Sequence, residues 1–408
     1  MAKKEIAIIG GGAAGFFTAA NLSGLSNAAN ITIYEGSNKL LSKVLISGGG
    51  RCNVTNTISD PSLLAENYPR GKDFLLDSFK QFSTADTQDW FNQRGVPLKT
   101  EPDGRVFPLS NSSQTIYNCL EREAKINGVQ IKTHHRLEDI SKEDNGYLLS
   151  FNKSEIKADF IVLATGSNAP IYKILKKLDV DCVPQVPSLF TFEAKRHLQL
   201  DLAGVSIENA RVSINEIKDS EQQGPLLITH WGYTGPSILR LSAWQARNLN
   251  ELEYKFTLSI NWLSDYSSAG LHEELSLLTT SSPKDKVASW KKHGLPKRLW
   301  NFILQKAEIK EYTNWSEIGK KGINRLVDAL TKYEVFINKK STFKDEFVTA
   351  GGINLDELDN TSFAIKKHNN LYAAGEILNI DAITGGFNFQ AAWTGSLLIA
   401  KHISTILE

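Results

Sequence analysis

Ile6-Ala-Ile-Ile-Gly10-Gly-Gly-Ala-Ala-Gly15 decides the fold. Four apolar residues form a buried strand that runs directly into a G-x-G-x-x-G turn, and a helix over 14–26 follows. The next strand, over 31–35, reads Ile-Thr-Ile-Tyr-Glu and ends on an acid twenty residues beyond Gly15. That order is the dinucleotide-binding βαβ unit. Gly10 permits the tight turn, Gly12 lets the backbone approach a pyrophosphate, and Gly15 lets the helix pack closely on the strand. Ala13 and Ala14 open the helix whose N-terminal amides face the phosphates. Glu35 accepts hydrogen bonds from the adenosine ribose.

A second glycine-rich motif stands at the far end. Leu371-Tyr-Ala-Ala-Gly375-Glu376 reads as a strand entering a turn, and Thr384-Gly-Gly386-Phe387-Asn388-Phe-Gln390 precedes a small-residue helix over 391–403. A nicotinamide enzyme needs only the first motif. FAD is long, and its adenosine and isoalloxazine ends are held by distant segments, so the pair of motifs predicts a flavoprotein. Glu376 is placed to bind a ribityl hydroxyl. The helix after Gly386 points its positive end at the flavin pyrimidine edge, where negative charge develops on reduction. Ala164-Thr165-Gly166-Ser167 ends another buried strand and returns the chain beside the dinucleotide. The loop Ser47-Gly-Gly-Gly-Arg51-Cys52-Asn53-Val-Thr55-Asn56 has three glycines that let backbone lie flat against a planar ligand. Arg51, Asn53, Thr55 and Asn56 supply donors, and Lys43 and Gly49 complete the expected cofactor set.

The 408 residues carry a net charge of +1, which argues against a nucleic-acid or membrane-surface partner. No secretory signal or membrane-spanning run is legible. The cysteines at 52, 119 and 182 have no metal or disulfide spacing, and no other metal-ligand spacing is present. A cytoplasmic enzyme with a small-molecule substrate is expected, its oligomeric state open. A helix is predicted over 73–94 and another over 113–127, with a hairpin around Asn145-Gly146 and a strand over 160–164. Short alternating strands, among them 198–202, 210–214 and 254–260, predict a β domain over 187–263 completed by about 336–342. Residues 264–335 read as a Lys-rich helical subdomain. The fold class is therefore α/β: a discontinuous, glutathione-reductase-like FAD domain over 1–186 and 343–408, with a barrel-like insertion and a small helical domain.

The glycine–Arg–Cys–Asn loop and the two half-sites together resemble the aminoacetone oxidase or BaiN-like family of FAD-binding flavoproteins. Glu101-Pro-Asp-Gly-Arg105-Val-Phe-Pro-Leu-Ser110, Thr229-His230-Trp-Gly-Tyr-Thr-Gly-Pro236 and Val348-Thr-Ala-Gly-Gly-Ile353 extend the resemblance over nearly the whole chain. It implies an oxidoreductase in which Gly10, Gly12, Gly15, Glu35, Arg51, Asn53, Thr165, Gly166, Glu376, Gly386, Phe387, Asn388 and Gln390 surround FAD. The sequence departs from that pattern at Asn379 and Ala382, where relatives carry Asp and Gly, and over 361–366, which lacks their Met-Glu-Ser.

Three residues are candidates for chemistry. Cys52 beside Arg51 is either a stabilised thiolate acting with the flavin or a packing residue. His230, in a Gly/Pro-flanked loop of the insertion, is either a proton donor to substrate or structural. Arg105 either binds a substrate carboxylate or pairs with Glu101 or Asp103. The leading expectation is hydride transfer between FAD and a small organic substrate, with NAD(P)H as a transient electron donor. An amine or amino-ketone oxidase using oxygen, and a non-catalytic flavin-bound sensor or assembly protein, are the alternatives.

Overall fold

The apolar run that opens the chain becomes the central strand of a five-stranded parallel sheet in a computed structural model describing residues 3–22, 28–194, 202–290, 294–340 and 348–408. Across the sheet the strands run Leu371–Ala373, Phe160–Leu163, Lys4–Ile9, Ala29–Tyr34 and Gln130–Lys132. Ile6 stands opposite both Phe160 and Ile31 in register. Helices cover both faces of such a sheet, which is why Ile6 to Ile9 can be apolar without alternation; all four are buried. The chain passes from the central strand to one neighbour and later returns on the other side. Parallel strands therefore diverge from Lys4–Ile9, and the crevice at their carboxyl ends is the switch point where such folds bind ligands.

Two helices converge on that edge. Ala13–Asn21 follows the glycine turn, and its further predicted extent to 26 lies outside the described residues from 23 onward. Phe387–Leu407 packs beside it, with Ser396 Oγ donating to Ala14 O at 3.0 Å. This helix starts four residues before its predicted first residue, because Gly386 adopts a left-handed φ of 90° and turns the chain straight into it. Phe17 fills the space between the helices and the sheet, with its ring centroid 4.6 Å from Trp90 and 4.9 Å from Trp393.

The helix predicted over 73–94 is two helices, Lys72–Gln81 and Thr84–Gln93. The apolar stripe is continuous, but Ser83 and Asp86 form a capping box that starts a new helix: Ser83 N donates to Asp86 at 2.7 Å. At the Asn145-Gly146 hairpin, Leu137–Glu143 pairs antiparallel with Gly146–Phe151.

Packing divides the chain into one unit of Met1–Pro187 with Asp345–Glu408 and another of Ser188–Lys344. The second unit contains a closed antiparallel barrel of six strands: Phe192–Ala194, Gly232–Thr234, Gln222–Ile228, Ser206–Ile214, Phe256–Asn261 and Tyr333–Lys340. Closure leaves no unpaired edge. The strand expected at 198–202 lies, except for its last residue, outside the described residues. The Lys-rich helices, expected as a separate subdomain over 264–335, belong to the barrel's unit. The physical reason is covalent and hydrogen-bonded: Gly319–Thr331 runs into the barrel strand Tyr333–Lys340, and Trp262 N donates to Leu330 O at 2.9 Å. Among the described residues no helix is long and apolar enough to cross a membrane.

One ion pair fixes the turn that precedes the closing helix. Asp381 is fully buried and held by both Nε and Nη2 of Arg70, which is itself 14% exposed. Removing the guanidinium leaves a carboxylate buried without its counter-charge. Arg70→Ala is expected to cost on the order of 3–5 kcal/mol, read from the urea midpoint of unfolding. A loss below about 1 kcal/mol would show that the pair is not holding the turn.

Candidate functional site

The three glycines of the fingerprint turn do different things. A Cβ on Gly10 would lie 2.2 Å from Ala164 O, and one on Gly15 would lie 2.0 Å from Gly10 O. Both are demanded by the close approach of strand, turn and helix. A Cβ on Gly12 would meet nothing within 4 Å. Gly12 therefore borders open space, directly at the start of Ala13–Asn21, whose N-terminus has no side-chain cap. Uncapped amides beside an open cradle suit an anionic group such as a pyrophosphate. Glu35 closes the other side: Oε2 accepts from Gly11 N at 2.9 Å and Oε1 from Ser37 N at 2.8 Å. Each oxygen retains acceptor capacity for a ribose hydroxyl.

Next to this turn, Thr165 Oγ1 is buried and has no hydrogen-bond partner. An orphaned hydroxyl at the carboxyl end of a switch-point strand suits a polar ligand that completes it. Glu376 arrives from the last strand. It forms an ion pair with Lys43 Nζ and accepts from Thr349 N at 2.9 Å, and its Oε2 would lie 3.9 Å from a Cβ on Gly166. Lys43, Gly166 and Glu376 thus meet at one place. Gly375 lets that turn pass the helices, since its Cβ would be 3.0 Å from Ala14 Cβ and 3.9 Å from Ala392 Cβ.

The glycine loop breaks the helix Ser42–Gly50 at Ser47, and Gly48, Gly49 and Gly50 follow with φ of 57°, 68° and 81°. Side chains rarely tolerate that run of left-handed backbone. Gly48 is wedged 2.9 Å from Phe107 as judged by its would-be Cβ, whereas Gly49 and Gly50 face open space. Beyond the glycines the loop interlocks with the C-terminal half-site. Asn53, with its amide oriented to satisfy its neighbours, accepts from Gly386 N at 2.9 Å and donates to Thr55 O at 3.0 Å. Asn56 Nδ2 donates to Gly385 O at 3.0 Å. Gln390 is buried, accepting from Thr55 Oγ1 at 2.6 Å and Thr87 Oγ1 at 2.9 Å and donating to Thr394 Oγ1 at 3.1 Å. Asn388 binds both the N–H and the C=O of Ala382, at 3.0 and 3.1 Å. Phe387 is buried, and its carbonyl accepts from Tyr68 OH at 2.6 Å.

The side chains of Asn53, Asn388 and Gln390 are therefore already engaged by protein. They shape the half-site, and the uncapped amides at the start of Phe387–Leu407 are its open donors. Arg51 pairs with Glu101 at 3.2 Å and stacks 4.1 Å over the Phe107 ring. No local sequence signal marks Arg70, Thr87, Thr349 or Ser396, whose partners lie between 27 and 382 residues away.

Of the three chemical candidates, Cys52 is fully buried, and desolvation pushes its thiol up to about 12. The residue is a thiol at neutral pH, which fits the packing alternative of the two readings of Cys52. All three cysteines are free. Arg105 Nε is bonded to Asp103 at 2.7 Å, within its own turn. His230 lies in the barrel's unit, exposed on the turn between Gln222–Ile228 and Gly232–Thr234, its ring edge-on to Trp231 at 4.3 Å.

Residues 4–402 match the family of the HI0933-like protein Rossmann domain. The chain is 28% identical to the ribosomal RNA dihydrouridine synthase of Escherichia coli K12, over 99% of this chain and 98% of that one. It is 25% identical to the 3-dehydro-bile acid delta(4,6)-reductase of Clostridium scindens, over 97% and 98% of the two chains. Among solved structures, 3-ketosteroid-delta4-(5alpha)-dehydrogenase from Rhodococcus jostii RHA1 shares the fold with a TM-score of 0.50 at 13% identity, over 97% of each chain.

The two kinds of glycine separate fold from ligand. Gly12→Val is expected to keep the unfolding temperature of the flavin-free protein and abolish the visible flavin spectrum, whereas Gly15→Ala is expected to cost the flavin-free protein about 1–3 kcal/mol or more of stability. Equal effects of the two substitutions on unfolding would contradict the assignment of Gly12 to the ligand. For Cys52, a disulfide reagent at pH 8 is expected to label it only after denaturant is added. Rapid native labelling, mapped to Cys52 by peptide mass, would show a reactive thiolate instead.

Proposed function

The chain belongs to the HI0933-like Rossmann family and is an FAD-dependent oxidoreductase; from that premise we propose that it reduces a carbon–carbon double bond conjugated to a carbonyl, in a uracil of ribosomal RNA. One observation carries the reading. Two full-length relatives with dissimilar substrates are named for the same bond change. Dihydrouridine is uridine with hydrogen added across the ring double bond next to a carbonyl, and a 3-dehydro-delta(4,6) steroid carries its double bonds in line with the 3-keto group. The uracil reading is favoured by the 28% identity and by a second ribosomal RNA dihydrouridine synthase, that of Haemophilus influenzae, at 25% over 98% of each chain. A small cyclic enone is the second reading, favoured by the bile-acid reductase.

The bound FAD would supply the hydride, delivered to the carbon β to the carbonyl, with NAD(P)H as the proposed reductant. The protein's part is to hold and to polarise. Gly12 and the uncapped start of Ala13–Asn21 receive the pyrophosphate, Glu35 the adenosine ribose, and Thr165 and Glu376 the polar middle of the cofactor. The positive end of Phe387–Leu407, fixed by Asn53 and Asn388, offsets negative charge at the ring. A proton must also reach the α-carbon. His230 is the sequence's candidate for that proton, to be tested by substitution, and Cys52 is left as a packing residue.

The test is anaerobic. NADPH is expected to bleach the flavin bands, and unmodified ribosomal RNA transcribed in vitro is expected to restore them, with dihydrouridine found in the RNA by mass spectrometry. Restoration by a cyclic enone but not by RNA would move the substrate to the second reading. Reduction by an amine in place of NADPH, followed by reoxidation with oxygen only, would make the protein an oxidase. Flavin bands that no reductant alters would point to a sensor. His230→Ala is expected to lower turnover on the order of a hundredfold while leaving reduction by NADPH intact; unchanged turnover would remove His230 from the mechanism.

A further inference from the structure

The net charge of +1 averages two unlike parts. The unit Ser188–Lys344 holds 22 Lys and Arg against 17 Asp and Glu, and the rest of the chain 24 against 28. Within the basic unit the excess is concentrated: residues 284–340 contain 14 Lys and Arg and only 6 Asp and Glu. In the dinucleotide unit half of the lysines are paired with acids, as at Lys4–Asp159, Lys72–Glu66, Lys125–Glu121 and Lys157–Glu143. In the basic stretch Lys306, Lys310, Lys320 and Lys321 are exposed, and none has a carboxylate within 4.0 Å among the described residues.

Two of the helices that carry these lysines are packed together. The helices Lys297–Lys306 and Gly319–Thr331 lie against each other, and Arg325 Nε donates to Ala307 O at 2.8 Å. Lys306 and Lys310 flank Ala307, while Lys321 stands one turn before Arg325 on the same helical face. Two of the acids nearby are already engaged, Glu308 with Arg325 at 3.5 Å and Glu317 as the cap on Asn314 N at 3.0 Å. Lys320 and Lys321 also sit in the first turn of their helix, which contains no acid. A helix dipole disfavours cations there, so helix stability does not account for them. An anion bound outside would. Between the helices stands Tyr312, 66% exposed, with Lys310 Nζ 5.7 Å from its ring centroid. A planar ring left in solvent beside a lysine is what a single-stranded base stacks on.

We infer that the helical region carrying Lys306, Lys310, Lys320, Lys321, Arg325 and Tyr312 docks RNA, the cations on phosphates and Tyr312 on an unpaired base. The inference rests on the reading that the substrate is a uracil in RNA, and it assigns the holding of that RNA to the inserted unit.

The probe is a fluorescein-labelled fragment of ribosomal RNA containing a stem and an unpaired loop, titrated with the holoenzyme at several salt concentrations. Replacing the four lysines by Gln is expected to weaken binding about tenfold or more and to flatten the salt dependence by about 0.7–0.9 in log–log slope for each phosphate a lysine had neutralised. The Lys→Arg set is expected to keep both, and Tyr312→Ala to weaken binding to the loop more than to a plain duplex. An unchanged far-ultraviolet circular dichroism spectrum and urea unfolding profile certify each variant as folded. Unchanged affinity and slope in the Gln set would overturn the docking face even if the wild-type protein makes dihydrouridine. Lysine-dependent binding without dihydrouridine would support the docking face while removing the proposed reaction. A wild-type protein that binds no RNA would overturn both.

Discussion

The molecule depends on one close approach: Gly10 against the carbonyl of Ala164, with Gly15 set against Gly10 in turn. No side chain fits at either glycine. Because backbone meets backbone there, the first helix sits low over the sheet and its N-terminus opens at the crevice between diverging strands. Glu35 then reaches back to hold Gly11, and Thr165 comes to lie beside the same opening. A methyl group at Gly10 or Gly15 would lift the helix, and the open turn at Gly12, Glu35 and the Thr165 hydroxyl would no longer share one geometry.

The far half of the site is built on a second constraint of a different kind. Its turn is held by polar side chains turned inward: Asn53 and Asn56 on the glycines at 385 and 386, Asn388 on Ala382, Gln390 on three threonines. Each satisfied amide removes a freedom from the loop and leaves backbone N–H groups as the open donors. A flavin changes charge during turnover, and fixed dipoles meet that change without reorganising. The burial of Cys52 in this same region belongs with that rigidity. It is packed, protonated and held at a left-handed φ of 61°.

How much is legible in the sequence depends on distance along the chain. The strand, glycine turn, helix and acid of the N-terminal motif are local, and so can be read from Ile6 to Glu35. The second glycine motif is readable as a partner of the first because a ligand as long as FAD calls for two distant half-sites. The engagement of Asn388 and Gln390 by Ala382, Thr55 and Thr87 is not legible, since residue type alone does not say whether an amide faces a ligand or a neighbour. The break at Phe82-Ser83 is present as a Ser-x-x-Asp signal but lies under an unbroken apolar stripe. Net charge is the least informative quantity: a value of +1 conceals a lysine-rich stretch because an acidic unit balances it.

The barrel begins and ends on paired strands, with Phe192 opposite Lys340. The chain therefore leaves the dinucleotide unit and re-enters it from neighbouring points, and Cys182–Ser188 on the way out lies beside Val348–Ile353 on the way back. In terms of chain entropy this shortens the molecule. Once the barrel has closed, the whole of Ser188–Lys344 counts as a short loop, and the last strand and helix search for the first with little of the closure cost their separation implies. The insertion is thus a folding aid to the domain it interrupts. Damage to barrel closure would slow assembly of a cofactor cradle whose own residues all lie in the other unit.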